Sequence, residues 1–315
     1  MLQFQPPDFK AKSIHTSLGT LTYYTADSLW SSTSPDIKIE TNSNPESNGS
    51  SQHLSDRPPL LFLHSMGGGS SAYEWSKVYP AFTTDYQVIA PDLIGWGASA
   101  HPERDYCAED YIDVIREMIE SVGGPLSIAA TSLTAAFAIR VAIAHPHLVR
   151  SLFLVCPSGY DDFGRSYRNE FSAQLAGVPL LDRVIYTFGA ANEVAVRGFM
   201  QQFLFSSPAR ITDEMVAAYT ASAQQSNAEY AALSALKGGL FFDLTRYLDQ
   251  LTVPTMFVWG KDAKFKNPEF GQRLAALNPM AVQRVDAIAQ TGVLPHLECP
   301  AVVIGLLRAW LHHLK

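Results

Sequence analysis

The stretch Ala130-Thr131-Ser132-Leu133-Thr134 joins the apolar run "PLSIAATS" to the alanine-rich "LTAAFAIRVAIAH". A serine on so tight a passage from strand to helix is exposed at the helix N-terminus, where the dipole favours developing negative charge and the hydroxyl can serve as a nucleophile. Such a turn needs small residues two places before and after the serine; Ala130 meets the condition and Thr134 meets it poorly. A serine that simply caps the helix is the competing reading. A second stretch, His64-Ser65-Met66-Gly67-Gly68-Gly69-Ser70-Ser71, follows the apolar "PLLFLH". Its glycines would let backbone N–H groups approach a ligand oxygen, so the N–H groups of Met66 and Leu133 are the candidate donors of an oxyanion hole; the alternative is a flexible turn. The Gly, Lys and Ser/Thr spacing of a nucleotide phosphate loop is missing. A third stretch, Asp92-Leu93-Ile94-Gly95-Trp96-Gly97-Ala98-Ser99, carries glycines for a turn and an aspartate suited to capping local N–H groups, and its role is read as structural.

The elements that must position these residues follow from pattern. Ser13 to Asp27 alternates and breaks at Leu18-Gly19, which predicts a β-hairpin. Residues 28–57 are dense in Ser, Asn and Pro and are expected to form a disordered insertion. From Pro58, short apolar strands alternate with helices, one of them over "AYEWSKVYPAF" and another over Ala108 to Ser121 with Tyr111, Ile115, Met118 and Ile119 on one face. Continuous apolar strands between helices imply a parallel sheet covered on both faces. Residues 160–250 carry helical signals only, with Thr212 and Asn227 as caps and Gly238-Gly239 as a stop, and are expected to lie over the sheet as a cap. The division expected is a core of residues 1–27, 58–159 and 251–315, the insertion, and the cap.

Composition bounds the function classes. A chain of 315 residues, 47% apolar and 17% charged, can bury a large core. A net charge of -7 offers no basic face, so nucleic acid is an unexpected partner. Cys107, Cys156 and Cys299 are odd in number and lack metal-ligand spacing; with an N-terminus that has no secretory pattern, this suits a reducing, cytoplasmic setting. Ser121 to Ile139 is uncharged and as long as a membrane span, but its Ser, Thr and Gly content and Pro125 favour a buried strand followed by a buried helix. No cofactor or metal is implied.

The order of these pieces resembles the α/β-hydrolase superfamily, in the branch with an N-terminal hairpin, a "HG" glycine loop, a "DxxGxGxS" turn, here "DLIGWGAS", and a helical cap after the sixth strand. The resemblance covers all but the insertion. It implies an α/β-hydrolase fold: a mostly parallel eight-stranded sheet, helices on both faces, and Ser132 as nucleophile with Met66 and Leu133 as oxyanion donors. Ser65 and Thr134 stand where glycines are usual. The family acid sits in "GxxD"; here Gly260-Lys261-Asp262-Ala263 puts Ala263 at that place and Asp262 one residue early, with Asp161 and Asp162 as further candidates. The family base sits in "GHxxHxExP"; "GVLPHLECP" puts Val293 there. Valine accepts no proton. The nearby substitute is His296, but three extended residues span up to ~10 Å, and a general base must come within ~3 Å of the serine oxygen. Two functions stay open. One is a weakly active or non-catalytic pseudoenzyme that binds a small apolar ligand or a protein partner. The other is a serine hydrolase of the ester or amide type, using Ser132, Asp262 and an unconventional base. Aromatic residues of the cap, among them Phe203, Tyr219 and Phe241, suit either an apolar pocket or internal packing.

Overall fold

A computed structural model describes residues 1–26, 57–164 and 191–314. The insertion expected over 28–57 therefore lies outside the described residues except for Arg57, as does part of the expected cap. Eight strands form one sheet in the order β1-β2-β4-β3-β5-β6-β7-β8. β1 (Phe9–Thr16) and β2 (Gly19–Ala26) make the expected antiparallel hairpin, and β2 pairs antiparallel with β4 (Gln87–Pro91). β3 (Pro59–Leu63), β4, β5 (Leu126–Thr131), β6 (Val149–Val155), β7 (Thr255–Gly260) and β8 (Val282–Ile288) run parallel. After β3 the chain steps to β4 on one side and then to β5 on the other. Ligands collect at such a switch, beyond the carboxyl ends of the strands, and the loops after β3 and β5 both open there.

The central strands are apolar throughout because helices cover both faces; every residue of β5 and β7 is buried. Helix α1 (Ala108–Val122) buries Tyr111, Val114, Ile115, Met118 and Ile119 at helical spacing, and the Asp110 carboxylate accepts from the Cys107 N–H at its start, 2.8 Å away. Helix α2 (Ser132–Ala144) is buried almost all round, which its alanines permit. The span Ser121 to Ile139 thus resolves into the end of α1, β5 and the start of α2; among the described residues no helix is long and apolar enough to cross a membrane.

One expected helix is absent. The segment "AYEWSKVYPAF" forms two single turns of tight helix, Ala72–Trp75 and Tyr79–Phe82. All of Ala72, Tyr73, Glu74 and Trp75 are buried and Lys77 is the one exposed residue of the segment, so no continuous solvent face exists for a regular helix, and Pro80 withholds an N–H.

Within 160–250 the described elements are helical: α3 (Glu193–Phe199), α4 (Asp213–Ala223) and α5 (Ala228–Leu236), with short turns. A lone parallel bridge pairs Tyr160 with Phe242. Thr212 caps α4 through Met215 N, and Gly238, at φ 75°, ends α5. Asn227 precedes α5 in a left-handed conformation and makes no side-chain cap; its amide reaches His101 O instead. The chain closes with α6 (Pro268–Ala275), β8, a single turn over Pro295–Glu298, and α7 (Pro300–His313).

Candidate active site

β5 passes into α2 with no intervening loop, and Ser132 at the junction has φ 58°. A side chain in this left-handed region is held against roughly 1–3 kcal/mol of backbone strain, characteristic of a functional turn. Thr134 is accommodated, fully buried, with its hydroxyl unpartnered among the described residues. β3 lies beside β5 with Leu63 paired to Ala130, so Met66 and Leu133 each lie three residues beyond paired positions, at one edge of the sheet. The Met66 N–H has no hydrogen-bond acceptor among the described residues, and the Leu133 N–H belongs to the first turn of α2, where amides lack helical partners.

The glycine loop is pinned from below. The buried carboxylate of Glu74 accepts from Ser65 N at 2.7 Å and from Ser65 Oγ at 2.8 Å, and from the hydroxyl of Tyr219 on α4 at 3.0 Å. Ser65, standing where glycine is usual, is thus the anchor that the carboxylate grips. Burial opposes the charge on Glu74, but the donors that converge on it, the Ser65 N–H among them, hold the carboxyl below its ordinary range. His64 is structural: its Nε2 accepts from Leu93 N at 2.9 Å, which leaves Nδ1 to donate to Ser65 O at 2.6 Å. Asp92 collects Tyr24 OH, Ala72 N and Ala98 N, as its expected structural role requires.

Ser132 opens on a cleft of about 10 Å³, enough for one water, whose wall includes Ala263 and Val293. These are the two places where the acid and base of the resembled family belong. Gly260 sits against the backbone of Gly292, and the Asp262 N–H donates to Thr291 O at 2.9 Å; the two loops are therefore assembled, but with aliphatic side chains at their tips. Asp262 is exposed and accepts from Ser206 Oγ at 2.5 Å. His296 is fully buried away from that cleft, its ring stacked on Trp75 at 4.2 Å and its Nε2 3.9 Å from Glu74. Neither ring nitrogen has a hydrogen-bond partner among the described residues, and burial lowers its pKa, so the ring is neutral. Ser132, Met66 and Leu133 thus share one edge, while among the described residues neither Asp262 nor His296 lines the cleft or hydrogen-bonds to the serine.

Ser132 Oγ is hydrogen-bonded to the hydroxyl of Tyr160 at 3.1 Å. In the sequence Tyr160 is only the first residue of the expected cap, and nothing in its spacing marks it. Asp162 builds the turn that aims it: the carboxylate accepts from Ser158 Oγ at 2.7 Å, from Gly159 N and from Leu244 N at 2.9 Å, and burial raises its pKa. Asp162 is thereby committed to the turn, and Asp161 lies half-buried beside it. Tyr160 has φ 70°, and its ring stacks on Phe241 at 4.7 Å. Of the cap aromatics, Phe241 and Phe203, which stacks on the cleft residue Phe265 at 5.9 Å, approach the cleft, whereas Tyr219 packs onto Glu74. No cluster of three or more His, Cys, Asp or Glu side chains suited to a metal occurs among the described residues.

With this geometry the similarities to known proteins are informative. The model of the alpha/beta hydrolase family matches residues 60–306, and the chain belongs to that family. It is 27% identical over 215 residues to a 2-hydroxy-6-oxo-6-(2'-aminophenyl)hexa-2,4-dienoic acid hydrolase of Metapseudomonas resinovorans, covering 65% of this chain and 68% of that one. It is 25% identical over 245 residues to Lipase 1 of Psychrobacter immobilis, covering 76% and 72%. Among solved structures it resembles a carboxylesterase of Bacillus subtilis, with a TM-score of 0.72 at 16% identity over 98% and 94% of the two chains, which shows the shared fold.

Proposed function

We propose that this hydrolase-family protein holds a small, largely apolar ligand against Ser132 and turns esters over slowly or not at all at neutral pH. The observation that carries this reading is the partner of Ser132 Oγ, a phenol at 3.1 Å, with Val293 and Ala263 at the places of base and acid. Neither aliphatic side chain moves a proton. Loss of the histidine from a serine triad lowers turnover by roughly 10^6-fold, and the remaining oxyanion hole and binding site retain roughly 10^3 to 10^4-fold over water. Cys156, Phe265 and Val293 give the cleft its apolar wall. The free thiols of Cys107, Cys156 and Cys299 support a cytoplasmic setting.

An alkyl fluorophosphonate probe at neutral pH tests the reading. The expected result is slow labelling that disappears in Ser132→Ala; rapid stoichiometric labelling at neutral pH overturns it. A serine hydrolase proper is the second reading. It is favoured by the retained strain at Ser132 and by the hydrolytic activities for which the relatives are named.

A further inference from the structure

Resting on the reading of slow turnover at neutral pH, we infer that Tyr160 is the residual proton acceptor for Ser132, with Lys266 favouring its phenolate, so that the serine is switched on by alkaline pH. Tyr160 OH is the group hydrogen-bonded to Ser132 Oγ, at 3.1 Å, and Lys266 lines the same cleft as both. The tyrosine is held for this contact by three independent restraints. Its left-handed backbone is fixed by the turn around Asp162, its N–H donates to Ser158 Oγ at 3.0 Å, and its ring lies on Phe241. Two strained residues, Ser132 at the β5–α2 junction with φ 58° and Tyr160 in the turn after β6 with φ 70°, thus meet through their hydroxyls.

The chemistry balances without a cofactor. The Tyr160 phenolate takes the Ser132 hydroxyl proton as Oγ bonds to the ester carbonyl carbon, and the carbonyl electron pair moves onto oxygen, within reach of the Met66 and Leu133 N–H groups. Collapse expels the alcohol oxygen, which takes the proton from Tyr160. Water then repeats the sequence on the acyl-serine: it loses a proton to the phenolate, adds to the carbonyl, and Ser132 leaves with that proton, releasing the acid. Phenols ionise near pH ~10 in water, so at neutral pH the acceptor is mostly occupied and the enzyme is slow. Lys266 lines the cleft with its ammonium 5.0 Å from the centre of the Phe270 ring, and a cation on the cleft wall shifts the balance toward phenolate.

Among the described residues, charged and titratable groups approach Tyr160 from the cleft, from its own turn and from its bridge partner. Lys266 and Cys156 share its cleft, and burial pushes the Cys156 thiol up to about 12 and keeps it neutral. Asp161 and Asp162 flank it on its own turn, and Arg140 lies over the ring of its bridge partner Phe242. The Lys266 charge is felt at Asp162, which its own three donors already occupy.

The test is the pH dependence of labelling by an alkyl fluorophosphonate in the full chain, its Tyr160→Phe, Lys266→Met and Lys266→Arg variants, alongside ultraviolet titration of phenolate absorbance. The wild-type rate is expected to rise with pH to a plateau whose midpoint matches one phenolate in the titration. Tyr160→Phe, which keeps the ring stack, is expected to lose that midpoint and to lower the plateau at least ~100-fold; Lys266→Met moves the midpoint up, and Lys266→Arg restores it. A Tyr160→Phe profile equal to wild type overturns the inference and leaves slow neutral turnover standing; an absence of labelling at every pH also overturns it and leaves a non-catalytic binding protein. Fast neutral labelling with an imidazole-like midpoint that survives Tyr160→Phe overturns both.

Discussion

The hydroxyl of Tyr219, in the cap, donates to the carboxylate of Glu74, beneath the glycine loop, at 3.0 Å, with both side chains fully buried. A buried charge persists only where donors converge on it, and three do so here. Glu74→Gln turns one oxygen into a donor facing other donors, and it is expected to destabilise the fold by about 2–4 kcal/mol, against about 1 kcal/mol for Tyr219→Phe. Urea unfolding of the two variants and the double variant measures both effects. Strict additivity would show that Tyr219 and Glu74 are not coupled.

Restoring the relay is the direct assay of what Val293 and Ala263 withhold. Both already border the cleft of Ser132, so Val293→His with Ala263→Asp places an imidazole and its orienting carboxylate on an existing frame. The double variant is expected to hydrolyse a short aryl ester at least ~100-fold faster than wild type, with Ser132→Ala abolishing the gain. Val293→His alone should gain less, because an unoriented imidazole samples the wrong tautomer.

The buried His296 sets part of the acid response. Its folded pKa lies below the ordinary 6.5, with burial as the main cause, so protonation favours the unfolded chain. Its contribution is complete above 6.5 and is lost as pH falls from there through the folded pKa. Glu74, also depressed, contributes in a separate window, complete above its ordinary 4.5 and lost only as pH falls to about 2. His296→Leu should therefore flatten the decline in unfolding free energy between about pH 7 and pH 5. An unchanged slope would assign that decline to other groups.

Gly260 leaves no room for a side chain. A Cβ there would lie 1.9 Å from Gly292 O, so Gly260→Ala must push apart the two loops that carry Ala263 and Val293. Loss of more than about 2 kcal/mol is expected in thermal or urea unfolding, with a backbone clash as the cause.

What was legible in the sequence was whatever periodicity and turn chemistry dictate. The hairpin, the parallel strands, α1 with its buried face and the elbow at Ser132 all follow from local pattern. The segment around Glu74 misled, since burial on nearly every side erases the helical period and tertiary packing decides the conformation. Tyr160 was invisible because its contact with Ser132 spans 28 residues and depends on a turn that Asp162 builds with Leu244. Glu74 left one trace, the serine at position 65 where glycine is usual, which a carboxylate partner explains.

Glu298, in the motif that ends without its usual histidine, accepts from Gly292 N at 2.5 Å, from Ser206 N at 3.0 Å and from Ser207 N at 3.3 Å, and it pairs with Arg210. One carboxylate therefore rivets the loop bearing Val293 to the edge of the cap. A disturbance at this edge of the cap is therefore passed directly to the wall of the Ser132 cleft, which Val293 lines.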